Sequence, residues 1–144
     1  MSKTLLDVAD LTTVFENTNQ KVTAVNHVSI SVGRGRTLGV VGESGSGKSV
    51  TAMSILRLVS GSGKIESGSI MLSIDDTSMD LLKISEPKLR KIRGGRIAMI
   101  FQEPMTSLNP VYTAGYQVME AILLHQKIGK EEARRKTIEL FHEV

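Results

Sequence analysis

The stretch Gly42-Glu43-Ser44-Gly45-Ser46-Gly47-Lys48-Ser49 satisfies the pattern G-x-x-x-x-G-K-[ST] at every fixed position. Glycines at these points let the backbone turn tightly enough for successive N–H groups to converge on one anion, which side chains there would obstruct. Lys48 supplies a mobile positive charge for β- and γ-phosphates, and the Ser49 hydroxyl is placed to ligate Mg²⁺. The flanks agree with a phosphate cradle. Leu38-Gly39-Val40-Val41 reads as a strand buried on both faces, and Val50 to Leu58 as a helix whose N-terminus points at the phosphates.

Working toward the N-terminus, residues 3–15 alternate partially and are rich in β-branched residues, which predicts a strand with one wet face. A polar turn, 16–21, leads to Val22–Val32, where Val28, Ile30 and Val32 alternate with His27, Ser29 and Ser31. The two segments are expected to pair antiparallel. Gly33-Arg34-Gly35-Arg36 then turns the chain into the strand that feeds the loop.

Working toward the C-terminus, Ile70-Met71-Leu72-Ser73-Ile74-Asp75 offers a decoy: an apolar run ending in an acid, as in the Mg²⁺-binding strand of phosphate-loop enzymes. Its period of two argues instead for a half-exposed antiparallel strand. The basic cluster Lys83, Lys88, Arg90, Lys91, Arg93 and Arg96 fits a solvated helix capped by Ser85 and stopped by Gly94-Gly95 better than a nucleic-acid patch. Ile97 to Phe101 is a continuous apolar run and reads as a second buried parallel strand. Ligands sit at the carboxyl ends of such strands, which would place Gln102 in the crevice of the phosphate loop. After a rigid turn at 104–110, helices are predicted over 111–125 and 131–144, the second with an apolar face of Ala133, Thr137, Leu140, Phe141 and Val144. The three histidines have no metal-site spacing, and core gap-filling is the default for the seven methionines.

Composition sets wider bounds. The chain has 144 residues, 40% hydrophobic and 23% charged, which suits one ordinary globular domain. Its net charge of +3 is too mild to argue for nucleic acid. It contains no cysteine, hence no disulfide framework or thiolate metal site. Asp7 and Asp10 interrupt any signal-peptide reading of the N-terminus, and no apolar run approaches the ~20 residues needed to span a bilayer.

GESGSGKS at 42–49 together with MIFQEPMTSLNP at 99–110 resembles the ATP-binding subunits of ABC transporters, in particular the peptide and nickel importer group. The likeness runs along the whole chain, through SGSI at 67–70 and IRGGRIAMIFQ at 92–102. It implies an α/β fold: a P-loop NTPase nucleotide-binding core with an antiparallel β layer, residues 1–102, then the glutamine loop and the start of a helical subdomain, 103–144. It also implies ATP and Mg²⁺ as cofactors, with the nucleotide held by Gly42, Glu43, Ser44, Gly45, Ser46, Gly47, Lys48, Ser49 and Val50. By the same resemblance Phe15 stacks on adenine, although its residue type serves equally as plain core. Gln102 would sense Mg²⁺, beside Ser49 as a metal ligand, and would couple to the permease.

Such subunits continue with an LSGGQ-type signature, a strand ending in Asp-Glu and a switch histidine, none of which occurs here, so the resemblance is to the first part of a subunit. The expected partners are integral-membrane permease subunits and a second ATP-binding subunit, without nucleic acid, at the cytoplasmic face of the inner membrane. This chain alone is expected to be inactive in hydrolysis. Two other readings stand beside an importer subunit: a small free-standing kinase-like enzyme using Asp75 or Asp76 as metal ligand, and a non-catalytic nucleotide-binding remnant.

Overall fold

The computed structural model describes residues 4–75, 77–102 and 107–144. Asp76, the alternative metal ligand, and residues 103–106 lie outside the described residues. The chain divides into two compact units, Met1–Leu89 and Arg90–Val144.

The first unit is built on an antiparallel sheet. β1 (Thr4–Asn17) and β2 (Gln20–Gly33) form a hairpin closed by a two-residue turn, with Asn17 opposite Gln20. β3 (Gly63–Ile74) pairs antiparallel with the other edge of β1, and a short β4 (Thr77–Asp80) pairs with β3, giving the order β2-β1-β3-β4. The expected hairpin and the antiparallel strand around 70–74 are both present. β3 begins several residues before its apolar part, and β4 was not predicted.

The three long strands are irregular at one level. Asp10 and His27 have φ of 54° and 51°, Gly68 has φ of 108°, and the β1 register shifts between Val8 and Leu11. A Cβ on Gly68 would lie 2.7 Å from the Leu11 Cα, so β1 and β3 can approach this closely only with glycine there. The shift also breaks simple alternation: Leu11 through Val14 are all buried. With Val25, Ile70, Leu72, Leu81 and Leu89 they form the core of this unit.

α1 (Lys48–Ile55) starts two residues earlier than expected and packs on β1 and β2. Its anchor is polar: Ser54 and Thr13, both buried, share a 2.9 Å hydrogen bond between their hydroxyls. Ser54 Oγ also reaches the Val50 carbonyl at 2.7 Å. Past the helix, the Arg57 guanidinium donates to the carbonyls of Leu81 and Ile84.

Two expectations fail. Residues 38–41 and 98–101 form no strand, and Val40, Val41 and Ile100 are exposed, the last two almost completely. A continuous apolar run predicts a buried parallel strand only if strands flank it on both sides. Among the described residues the only parallel pairing is an isolated bridge between Arg93 and Ile97. Without such neighbours the backbone polar groups of these runs have no ladder to join. The methionines are a further correction, since none of those described belongs to the buried core.

In the second unit α3 (Ala114–His125) is capped by Thr113, whose hydroxyl accepts from the Tyr116 N–H. It packs on α4 (Lys130–His142) through Ile122, Ala133 and Thr137. Gly115, near the start of α3, faces Thr137 and Phe141 near the end of α4, so the pair is antiparallel. The apolar stripe of α4 is only half used, because Leu140, Phe141 and Val144 stay exposed. Glu86–Ile92 forms α2 after Ser85, whose carbonyl accepts from Lys88 and Leu89.

Candidate functional site

Residues 42–47 form an irregular loop that ends on α1. Gly47 is the N-cap residue, with φ of 88° and no side-chain cap, so the first N–H groups of α1 are left for an outside acceptor. Gly45 is also left-handed, with φ of 81°. Gly47 is required by space, since its neighbour is backbone, whereas the neighbour of Gly42 is a side-chain hydroxyl. A Cβ on Gly47 would stand 2.4 Å from the carbonyl oxygen of Ala24 in β2, and one on Gly42 would stand 2.7 Å from Ser46 Oγ. The loop is therefore pressed against the hairpin at Gly47, with no room there for a side chain. Ser46 N–H closes it on the Glu43 carbonyl at 3.2 Å.

Lys48 folds back over this loop. Its Nζ donates to the carbonyls of Gly42 and Glu43 at 2.7 and 2.6 Å, with Ser46 Oγ at 3.3 Å. All three acceptors are neutral. A phosphate oxygen is a charged acceptor with roughly twice the hydrogen-bond strength, so an arriving phosphate competes favourably for the ammonium. Ser49, in the same turn, is exposed. A tight glycine turn, uncapped helix N–H groups and a lysine parked on the loop suit an anionic ligand such as a phosphate.

A model of the ABC transporter family matches residues 25–143, which contain the whole of this loop and helix. The chain belongs to the ABC transporter family. Among curated relatives it is 46% identical, over 142 residues, to the oligopeptide transport ATP-binding protein AppD of Bacillus subtilis strain 168, covering 98% of this chain and 42% of the relative. It is 48% identical over 134 residues to the glutathione import ATP-binding protein GsiA of Salmonella typhimurium strain LT2, covering 92% of this chain and 22% of that one. The chain thus spans less than half the length of these relatives. Among solved structures, a dimeric ATP-binding cassette in a post-hydrolysis state bound to ADP and Pi superposes with a TM-score of 0.76 at 24% identity, over 94% of this chain and 55% of the other. That likeness shows the fold: a P-loop NTPase-like α/β arrangement with an open antiparallel sheet.

The remaining expected residues of this ABC family chain fall on different units. Phe15 is half-buried in β1, opposite Val22 and Gly63, and a Cβ on Gly63 would come within 2.8 Å of its ring. Gln102 is exposed in a bend and belongs to the second unit. Asp75, the decoy, ends the β3 hairpin arm with φ of 48°, and no group of three or more potential metal ligands occurs among the described residues. Sequence reasoning missed Ala24, whose carbonyl forms the wall behind Gly47, and the Thr13–Ser54 pair that fixes α1. Only the glycine at 47 hinted at a close approach, and nothing in the sequence named the strand approached.

Proposed function

We propose that this chain is the nucleotide-binding part of an ATP-binding subunit that energises an ABC importer of di- or oligopeptides. The observation that carries the reading is the cradle at 42–49, whose Gly47 leaves no room for a Cβ against the β2 backbone and whose lysine sits on weak neutral acceptors. In this role Lys48 and the N–H groups of residues 45–50 hold the β- and γ-phosphates of ATP, and Ser49 ligates Mg²⁺. The nucleotide supplies the phosphoryl group whose hydrolysis drives transport. Phe15 contributes a ring face to adenine, and Gln102 joins Ser49 at the metal and relays its state to the permease. Glu43, Ser44 and Ser46 shape the loop, and Val50 continues it into α1.

The peptide specificity of the assembly is supported by the relatives, which are proteins of oligopeptide transport and glutathione import. Permease subunits and a second ATP-binding subunit are the partners, and they hold the chain at the cytoplasmic face of the membrane. No helix among the described residues is long and apolar enough to cross a membrane, in keeping with attachment through a partner. Since phosphoryl transfer needs a group that orients the attacking water as well as a cradle, this chain by itself is expected to bind Mg·ATP without sustained hydrolysis.

Titration with ATP tests the reading. Lys48→Ala removes a charge-assisted contact worth about 1.5–3 kcal/mol, so affinity falls about ten- to a hundredfold, and AMP binds far more weakly than ATP to the unsubstituted chain. Equal ATP affinity in the variant would remove the cradle assignment.

A further inference from the structure

The phosphate loop rests on β2, and β2 reaches it through two compensating irregularities of the hairpin. Between the rungs Val8–Ile30 and Leu11–Val28, β1 carries one residue more than β2. Between Leu11–Val28 and Thr13–Val25 the excess is in β2, so the two bulges cancel and the register is restored. Asp10 lies in the first bulge and His27 in the second, and each has a left-handed backbone, with φ of 54° and 51°. Their side chains are joined: Nδ1 of His27 and Oδ1 of Asp10 are 2.6 Å apart. Both main-chain N–H groups turn to side-chain oxygens, Asp10 donating to Ser29 Oγ at 2.9 Å and His27 to Thr12 Oγ1 at 3.3 Å.

The Asp10–His27 contact adds little to stability by itself, because the two side chains are 65% and 66% exposed and a pair in water is weak. Residue type alone does not account for it either. Asp and His both tolerate the left-handed region better than most residues, but that tolerance needs no contact between them. The contact instead holds two irregularities in step. If one bulge relaxed without the other, β2 beyond it would slip by a residue against β1, and every side chain there would change face. The first rung beyond the pair is Thr13–Val25. Thr13 is bonded to Ser54 of α1, and a Cβ on Gly47 would meet the Ala24 carbonyl oxygen and, at 3.9 Å, Val25 Cγ2. A slip at His27 therefore moves both the wall behind the loop and the anchor of the helix on which the loop ends.

We propose that Asp10 and His27 are positioning residues for phosphate binding: their hydrogen bond keeps the paired bulges in register and so sets where the loop at 42–47 and the first N–H groups of α1 stand. The functional half of this rests on the nucleotide reading of the loop; the geometric half does not. Asp10→Gly and His27→Gly, made singly, test it. Glycine adopts the left-handed backbone without strain, so each variant loses the contact while its bulge stays allowed, and the melting temperature should change little. Amide resonances of residues 45–50, recorded without nucleotide, are expected to shift in both variants. ATP affinity is expected to fall about tenfold, the loss of roughly one hydrogen bond to a charged acceptor. Asp10→Asn keeps an acceptor oxygen and a residue at ease in the left-handed region, and should leave both readouts at the unsubstituted values.

Far-ultraviolet circular dichroism matching the unsubstituted chain establishes that each variant is folded, and either glycine variant serves should the other fail to fold. Unmoved resonances at 45–50 would overturn the proposal whatever the loop binds. Unchanged ATP affinity in the glycine variants, in a chain whose binding Lys48→Ala weakens, would overturn it while leaving the nucleotide reading in place. So would Asp10→Asn behaving as Asp10→Gly does, since the hydrogen bond would then not be the cause. An unsubstituted chain that binds no ATP would remove the nucleotide reading, and the proposed role in phosphate binding with it, and the resonances would still decide whether the pair positions the loop.

Discussion

Gly47 and Ala24 are in contact across the base of the phosphate loop: a Cβ on the glycine would lie 2.4 Å from the alanine carbonyl oxygen, while the glycine backbone has φ of 88°. Both features forbid a side chain. Gly47→Ala is therefore expected to cost at least about 1–2 kcal/mol from the left-handed conformation alone, with backbone displacement added to it. The same displacement re-aims the first N–H groups of α1, so ATP affinity should fall with stability. Denaturant unfolding and nucleotide titration of the one variant check both. Gly45→Ala is the comparison, since it carries similar strain but would meet nothing within 4 Å. It should lose less stability.

The buried hydroxyl pair of Thr13 and Ser54 holds α1 on β1 at 2.9 Å. Ser54→Ala leaves the Thr13 hydroxyl buried without this partner and should destabilise by about 1–3 kcal/mol. Thr13→Val together with Ser54→Ala removes both polar groups and should recover part of that loss. A double-mutant cycle by urea unfolding measures the coupling, and strictly additive losses would show that the pair contributes only bulk.

Asp80 sets a pH dependence. Its carboxyl is nearly buried, which by desolvation would raise its pKa, but N–H donors from Leu82 and Ile70 and the nearby Lys83 ammonium outweigh that and hold it below its ordinary 3.8. A carboxyl with a depressed folded-state pKa stabilises the fold fully above its unfolded value and loses that contribution as pH falls through the folded value. Stability of the chain should thus decline below about pH 4 by a component that Asp80→Asn abolishes. Melting temperatures of both forms across the acid range provide the measurement. Parallel curves would assign the acid sensitivity to other carboxylates.

The local features of the site were legible in sequence because they are fixed by residue type over short distances. Glycine spacing foretold the tight loop, and the alternation of Val28, Ile30 and Val32 foretold a strand with two unlike faces. The same rule separated Ile70–Asp75 from a buried acidic strand. What could not be read depends on packing between distant segments. Gly68 marks the place where β1 and β3 nearly touch, yet glycine also suits any turn. The runs at 38–41 and 97–101 carry the composition of central strands. Composition states what a segment would bury but does not supply the neighbours that bury it.

Those two runs motivate the last prediction. Val41 is 93% exposed and Ile100 is 94% exposed, each within an apolar segment whose backbone joins no sheet. Apolar segments with unpaired N–H and C=O groups are templates for pairing with another chain, so the isolated protein should self-associate as its concentration rises. Val41→Lys and Ile100→Lys each place a charge where the side chain already faces solvent. Neither removes buried area, so folded stability should change by no more than about 0.5 kcal/mol. Self-association should nevertheless fall, because pairing would then bury an ammonium group. Sedimentation velocity over a range of concentrations distinguishes the outcomes: a shift toward monomer in both variants at unchanged melting temperature supports templated pairing. Unchanged association would place the sticky surface elsewhere, with the exposed Leu140, Phe141 and Val144 of the second unit as the next segment to substitute.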